Sequence, residues 1–210
     1  TDAPPLSFDA MVTDYLALIQ KAQPHGPYRL LGWSSGGGIA HALACRLQAA
    51  GETVNLLAFM DSYPADIWKG KPLPTEGDAL EALLDVIGAN AWDAQGQRLP
   101  DDAMRALLRQ AGGSLASLAE SIRERMVDSA VHGMRLYRSA QHRIFDGPIL
   151  YFRAAIRPVG APSPESWAPY LTQRLDMVDI DSNHNNMRQP IPMAAIGQTL
   201  KPVLTQHLSP

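Results

Sequence analysis

The chain has 210 residues, 46% hydrophobic and 19% charged, which is enough apolar material for one globular core. A net charge of −3 points away from nucleic acid and anionic membrane surfaces as partners. A single cysteine excludes an internal disulfide, and no stretch reads as a membrane span or a leader, so a cytoplasmic domain is expected.

Residues 1–6 are polar and proline-containing, as a loop entry or a linker is. Ser7 is placed to cap a helix over 8–22, where Phe8, Met11, Val12, Tyr15, Leu16, Leu18 and Ile19 recur at helical spacing. Pro24, Gly26 and Pro27 stop it. Tyr28-Arg29-Leu30-Leu31 then reads as a short strand running into Gly32-Trp33-Ser34-Ser35-Gly36. That run fits G-x-S-x-G, in which a serine stands on a strained strand-to-helix turn with its hydroxyl clear at the sheet edge. Glycine is expected on either side, because a Cβ there would strike the strand or the helix. The bland alternative is a glycine-rich turn that holds a phosphate or nothing. Residues 37–50 follow as a helix with small first turns, closed by Gly51, and Cys45 within it reads as a small buried hydrophobe. Residues 54–60 are nearly all apolar, as a strand covered on both faces is, and they end on Asp61. Strand, elbow, helix and strand make a βαβ unit, so the two strands are expected to be parallel.

From 64 to 146 the pattern changes. Breakers stand at Gly70, Pro72, Pro74, Gly77, Gly88, Pro100, Gly112 and Gly113, with helical stretches over 78–87, 101–110 and 115–143 between them. No strand pattern interrupts them. This predicts a helical insertion leaving the same sheet edge as Ser34, where such segments act as lids. Trp68, Trp92, Met126, Met134 and Tyr137 either line an acyl pocket there or simply pack its helices. Residues 147–154 read as a third buried strand, 158–169 as a loop containing Trp167, and 174–180 as an alternating edge strand. A closing helix is expected over 191–208.

A serine hydroxyl needs a base within hydrogen-bond reach, and in parallel α/β sheets reacting groups collect at the carboxyl ends of strands. Among the six histidines, His184 follows the last strand in a polar loop. His41 lies inside the elbow helix, His132 and His142 in the insertion, His207 near the terminus, and His25 at the wrong end of the elbow strand. The base in turn needs a carboxylate to hold its tautomer. The strand over 149–152 runs into Arg153-Ala154-Ala155-Ile156-Arg157, with no acid before Glu165, whereas the strand before it ends directly on Asp61. Asp61 therefore either orients His184 or caps the turn at Pro64, with Asp179 and Asp181 as other possible orienters. The chain order Ser34, Asp61, His184 is that of α/β-hydrolases, in which the N–H after the nucleophile, here that of Ser35, is one oxyanion donor.

The run from Gly26 to Gly37 resembles the thioesterase domains that terminate nonribosomal peptide synthetases, as does Arg46-Leu47-Gln48-Ala49-Ala50-Gly51. Pro64 closely following Asp61, Phe145-Asp146-Gly147, the loop over 163–167 and the final His184 helix are similar to that family too. The resemblance implies an α/β-hydrolase fold: a mostly parallel sheet flanked by helices, one domain over 1–210, with a helical lid over 64–146. It implies an acyl or peptidyl chain delivered on the 4′-phosphopantetheine of a carrier domain, passed to Ser34, then released to water or to an internal nucleophile. A carrier domain is the expected partner, and no metal or bound cofactor is expected. Family members have further strands and a glycine-containing loop ahead of this start, and that loop supplies a second oxyanion N–H. Both are expected to be absent from these residues. Two other readings stand beside this one: a stand-alone esterase or lipase-like hydrolase, and a non-catalytic module that binds a carrier domain.

Overall fold

The four apolar runs form one parallel sheet, with β1 (Tyr28–Trp33), β2 (Val54–Met60), β3 (Ile149–Ala154) and β4 (Leu175–Ile180) side by side in that order. This comes from a computed structural model that describes residues 3–110 and 118–205. β2 and β3 are the inner strands, and Phe59 and Tyr151 pair across them with both side chains fully buried. Their near-continuous hydrophobicity is what a strand with helices on both faces requires. β4 does not show the expected clean alternation: Asp176, Met177 and Asp179 are exposed and only Ile180 is buried, as befits a strand with a neighbour on one side, and Asp179 is held by two nitrogens of the Arg153 guanidinium at 2.6 and 2.8 Å.

Side chains alternate across a strand, so each inner strand feeds two cores. On one face Leu57, Phe59, Ile149 and Tyr151 meet Ala40, Ala44 and Cys45 of α2 (Ser35–Ala49), together with Phe145 and Trp167. On the other, Ala58, Met60, Leu150 and Phe152 meet Met187 and Ile196, the latter from α6 (Pro190–Thr205). α1 (Phe8–Ala22) packs on α2, and its Ser7 cap accepts the Ala10 N–H at 3.0 Å. Cys45 is the buried small residue its surroundings suggest, its thiol pushed up to about 11 by burial.

Gly70–Arg138 forms a second compact unit. It holds α3 (Glu76–Val86), α4 (Asp101–Gln110) and α5 (Glu120–Arg138) around Leu80, Leu84, Met104, Leu108 and Val127. Thr75 and Asp78 close a reciprocal capping box at the start of α3. Tyr137 is buried, Met126 and Met134 are partly so, and Trp92 is exposed with its indole N–H on Glu81.

Several boundaries differ from the sequence reading. The helix expected to run to 143 stops at Arg138, whose guanidinium turns back to the carbonyls of Lys71 and Pro72. Beyond it His142 joins the sheet-bearing unit, where its Nε2 accepts the Ala65 N–H at 3.1 Å. The loop over 158–169 instead contains a 3₁₀ helix, Pro164–Tyr170, opened by proline and anchored by Trp167, whose indole N–H donates to the Ser62 carbonyl at 2.8 Å. Two more 3₁₀ turns, Ala65–Trp68 and Asn185–Arg188, are too short to show a period. The start of the 115–143 helix, Gly112, Gly113, His207 and the end of the 191–208 helix lie outside the described residues. Among the described residues no helix is long and apolar enough to cross a membrane.

Candidate active site

β1 ends on Trp33 and α2 begins on Ser35, so Ser34 alone makes the turn between them. Its φ of 54° lies in the left-handed region that non-glycine residues rarely enter. The Ser34 N–H donates to the Met60 carbonyl at 3.0 Å and the Ser34 carbonyl accepts the Gly37 N–H at 3.1 Å, which fixes that conformation from both sides. A Cβ on Gly32 would lie 2.2 Å from the Gly36 carbonyl oxygen, as the motif requires. The expectation for the second glycine fails: a Cβ on Gly36 meets nothing within 4 Å, and the crowded position is Gly37, whose Cβ would lie 2.3 Å from the Ser62 hydroxyl. α2 crowds the turn after β2 one residue later than the motif suggests. The Ser35 N–H belongs to the first turn of α2, where amides have no acceptor within the helix and the helix dipole favours negative charge.

Asp61 sits one residue past β2 and is 4% exposed. Its own φ is 45°, held by its N–H on the Phe152 carbonyl at 2.8 Å. One carboxylate oxygen lies 2.7 Å from Nδ1 of His184. The other accepts the Tyr63 hydroxyl at 2.8 Å and the Ala154 N–H at 3.3 Å. Both oxygens are engaged in this way, so a cap on the Pro64 turn is not the role they take. Burial pushes the carboxyl up, but the bonds from His184, Tyr63 and Ala154 outweigh it and hold the pKa below the usual range. The same contact works in reverse on Tyr63, whose hydroxyl burial and the Asp61 charge push up to about 12.

His184 lies in the loop after β4 and opens the 3₁₀ turn Asn185–Arg188. Its Nε2 is 3.1 Å from the Ser34 Oγ. With Nδ1 bearing the proton toward Asp61, the Nε2 lone pair faces the serine. A hydroxyl on an imidazole whose far side is held by a buried carboxylate can lose its proton as it attacks.

The other titratable candidates lie elsewhere. Asp179 is taken by Arg153, and Asp181 is exposed. His25 bonds Glu52 at 3.0 Å at the far end of β1, and His132 lies on α5. His41 is fully buried with Trp167, Phe59 and Phe145 around it, and burial drives its pKa down to about 4. His142 is likewise lowered to about 4, by burial and then by His41 beside it. Two side chains at the site were not read from the sequence. Tyr63 had no periodic signal, since Asp61 leaves extended backbone at φ 45° and the chain past β2 is irregular. Trp33 had none either.

The thioesterase domain family model matches residues 1–197. The chain is 38% identical over 199 residues to the dimodular nonribosomal peptide synthase of Bacillus subtilis (strain 168), covering 93% of this chain and 8% of that protein. It is 28% identical over 201 residues to enterobactin synthase component F of Escherichia coli (strain K12), covering 95% of this chain and 14% of that protein. Among solved structures, the four-domain nonribosomal peptide synthetase holo-AB3403, bound to AMP and glycine, matches with a TM-score of 0.81 at 20% identity, over 100% of this chain and 16% of that one. The likeness to solved thioesterase domains, among them that of surfactin cyclisation at a TM-score of 0.62 and 21% identity over 93% of this chain and 75% of that one, shows the α/β-hydrolase-type fold. The chain spans only a small part of the length of the curated relatives it matches.

Proposed function

Since this chain belongs to the thioesterase domain family, we propose that it works as a serine thioesterase with Ser34, Asp61 and His184 as its catalytic triad. The observation that carries this reading is the continuous run from the Ser34 Oγ through His184 to the buried Asp61 carboxylate, 3.1 Å and 2.7 Å long at its two contacts. The Ser34 Oγ attacks the thioester carbonyl while the His184 Nε2 takes its proton. The Ser35 N–H supports the oxyanion that forms. The C–S bond then breaks, and His184 returns the proton to the departing thiol. Asp61 holds the Nδ1 proton throughout and stabilises the imidazolium. In the second half, His184 takes a proton from water or from a nucleophile within the acyl chain as it attacks the Ser34 ester; the acyl C–O bond to Ser34 then breaks, and His184 returns the proton to the Ser34 Oγ. Attack by water gives hydrolysis and attack by the internal nucleophile a macrocycle.

The relatives are peptide synthetases, which supports an acyl or peptidyl substrate carried on the phosphopantetheine arm of a carrier domain. The test compares release from a carrier-bound acyl thioester with hydrolysis of a p-nitrophenyl ester. A strong preference for the carrier-bound thioester, abolished by Ser34→Ala, is expected. Equal rates on both would favour a general esterase, and a Ser34→Ala variant that still turns over would overturn the nucleophile assignment.

A further inference from the structure

Trp33 touches both the chain that carries Ser34 and the loop that carries His184. It is the last residue of β1 and covalently adjacent to Ser34. Its indole stacks on the His184 imidazole, with ring centres 5.1 Å apart and planes 30° from parallel. Its ring N–H donates to the His184 backbone carbonyl at 3.1 Å. The Arg188 guanidinium lies over the indole, 4.3 Å from the ring centre. The indole also packs on the cluster that contains Met187. Trp33 thus meets the 3₁₀ turn at its start, through ring and carbonyl of His184, and at its end, through Arg188.

This matters because His184 has weak support of its own. It stands on a loop after the outermost described strand on its side, and its side chain is 36% exposed. Loops in such places are the mobile part of a fold. Asp61 holds Nδ1 and the Ser34 Oγ meets Nε2, but both contacts lie in the ring plane and leave the ring free to tilt about the line that joins them. The stack removes that freedom, and the indole N–H fixes the backbone from which the ring hangs.

We infer that Trp33 is a positioning residue for the reaction, setting the His184 ring against Ser34 by stacking on its face and bonding its carbonyl. This rests on the catalytic assignment proposed above. Three variants test it: Trp33→Phe, which keeps a stacking ring and loses the N–H donor; Trp33→Leu, which loses the stack; and Arg188→Leu, which leaves both. Thioester turnover is measured with thermal melting. The downfield proton resonance of the His184–Asp61 hydrogen bond, assigned by its loss in His184→Ala, is followed in each.

Trp33→Leu should lower kcat on the order of a hundredfold, as displacing a catalytic group by about an ångström does, with KM little changed. Trp33→Phe should recover most of that, falling about three- to tenfold short of the parent for the lost hydrogen bond. Arg188→Leu should cost less than Trp33→Phe. The downfield resonance should broaden in Trp33→Leu and persist in Trp33→Phe, with both proteins melting cooperatively. Turnover within about twofold of the parent in Trp33→Leu would overturn the inference, because only small effects separate twofold from no change in transition-state energy. So would a loss carried by KM alone, or an unchanged downfield resonance. A dead Ser34→Ala beside unaffected Trp33 variants sinks this inference alone, whereas an active Ser34→Ala sinks the catalytic assignment beneath it.

Discussion

Mild acid should destabilise this protein through two histidines that take no part in the chemistry. His41 is fully enclosed, with Trp167 at 4.9 Å, His142 at 5.4 Å, and Phe59 and Phe145 at 6.4 Å between ring centres. Its Nε2 lies 3.2 Å from the Tyr170 carbonyl, a bond that favours the proton, yet burial dominates and holds the pKa at about 4 against an ordinary 6.5. The unfolded chain binds a proton as pH falls through 6.5, and the folded chain resists until about 4. Stability is therefore whole above 6.5 and is lost progressively down to 4. At about 1.4 kcal/mol per pKa unit, His41 alone accounts for about 3 kcal/mol across that window. His142 is lowered for the same reason and by His41, and its nearer access to solvent makes its share smaller. The sum is a large part of the roughly 5–15 kcal/mol that holds a domain together. Urea unfolding at pH 7, 6 and 5, followed by tryptophan fluorescence and far-UV circular dichroism, measures it. The midpoint should fall steadily, and His41→Phe should flatten the slope even if it shifts every midpoint. Asp61 acts in another window: its carboxyl is lowered, so its contribution disappears only as pH falls through that lowered value, below the ordinary 3.8. A parent protein whose midpoint is level from pH 7 to 5, or a His41→Phe variant with the parent's slope, would refute the reasoning.

Asp61→Asn should lower kcat by about four orders of magnitude while leaving the fold intact, because the amide favours the wrong imidazole tautomer; steady-state kinetics showing a loss under about tenfold would mean that another group orients His184. Gly37→Ala and Gly36→Ala should part company in a thermal melt. A Cβ on Gly37 would sit 2.3 Å from the Ser62 hydroxyl, so the fold loses about 1–3 kcal/mol by overpacking, whereas Gly36→Ala should be neutral or gain up to about 1 kcal/mol as a better helix former. Equal effects would remove the close approach of α2 to Ser62 from the explanation.

The sheet was legible because its inner strands carry an almost unbroken apolar pattern, which only helices on both faces can satisfy. The three residues that meet at 2.7 and 3.1 Å were legible for a related reason: each stands at the carboxyl end of a strand, one on a turn too tight for most sequences. What escaped depends on contacts without local pattern. Trp33 reaches a carbonyl 151 residues away, and nothing near either residue announces the pair. The end of α5 at Arg138 is set by carbonyls at Lys71 and Pro72, on the far side of two helices in sequence. The glycine motif names Gly36, but the crowding falls on Gly37, because the spacing between α2 and the turn after β2 is a tertiary quantity.

The central claim is that Ser34 becomes acylated. Intact mass after brief incubation with a slowly hydrolysed acyl thioester, followed by peptide mapping, addresses it directly. The account predicts one acyl adduct on Ser34, absent in Ser34→Ala and strongly slowed in His184→Ala. An adduct on Cys45 or another residue, or turnover with no acyl-enzyme under conditions that trap it, would contradict it.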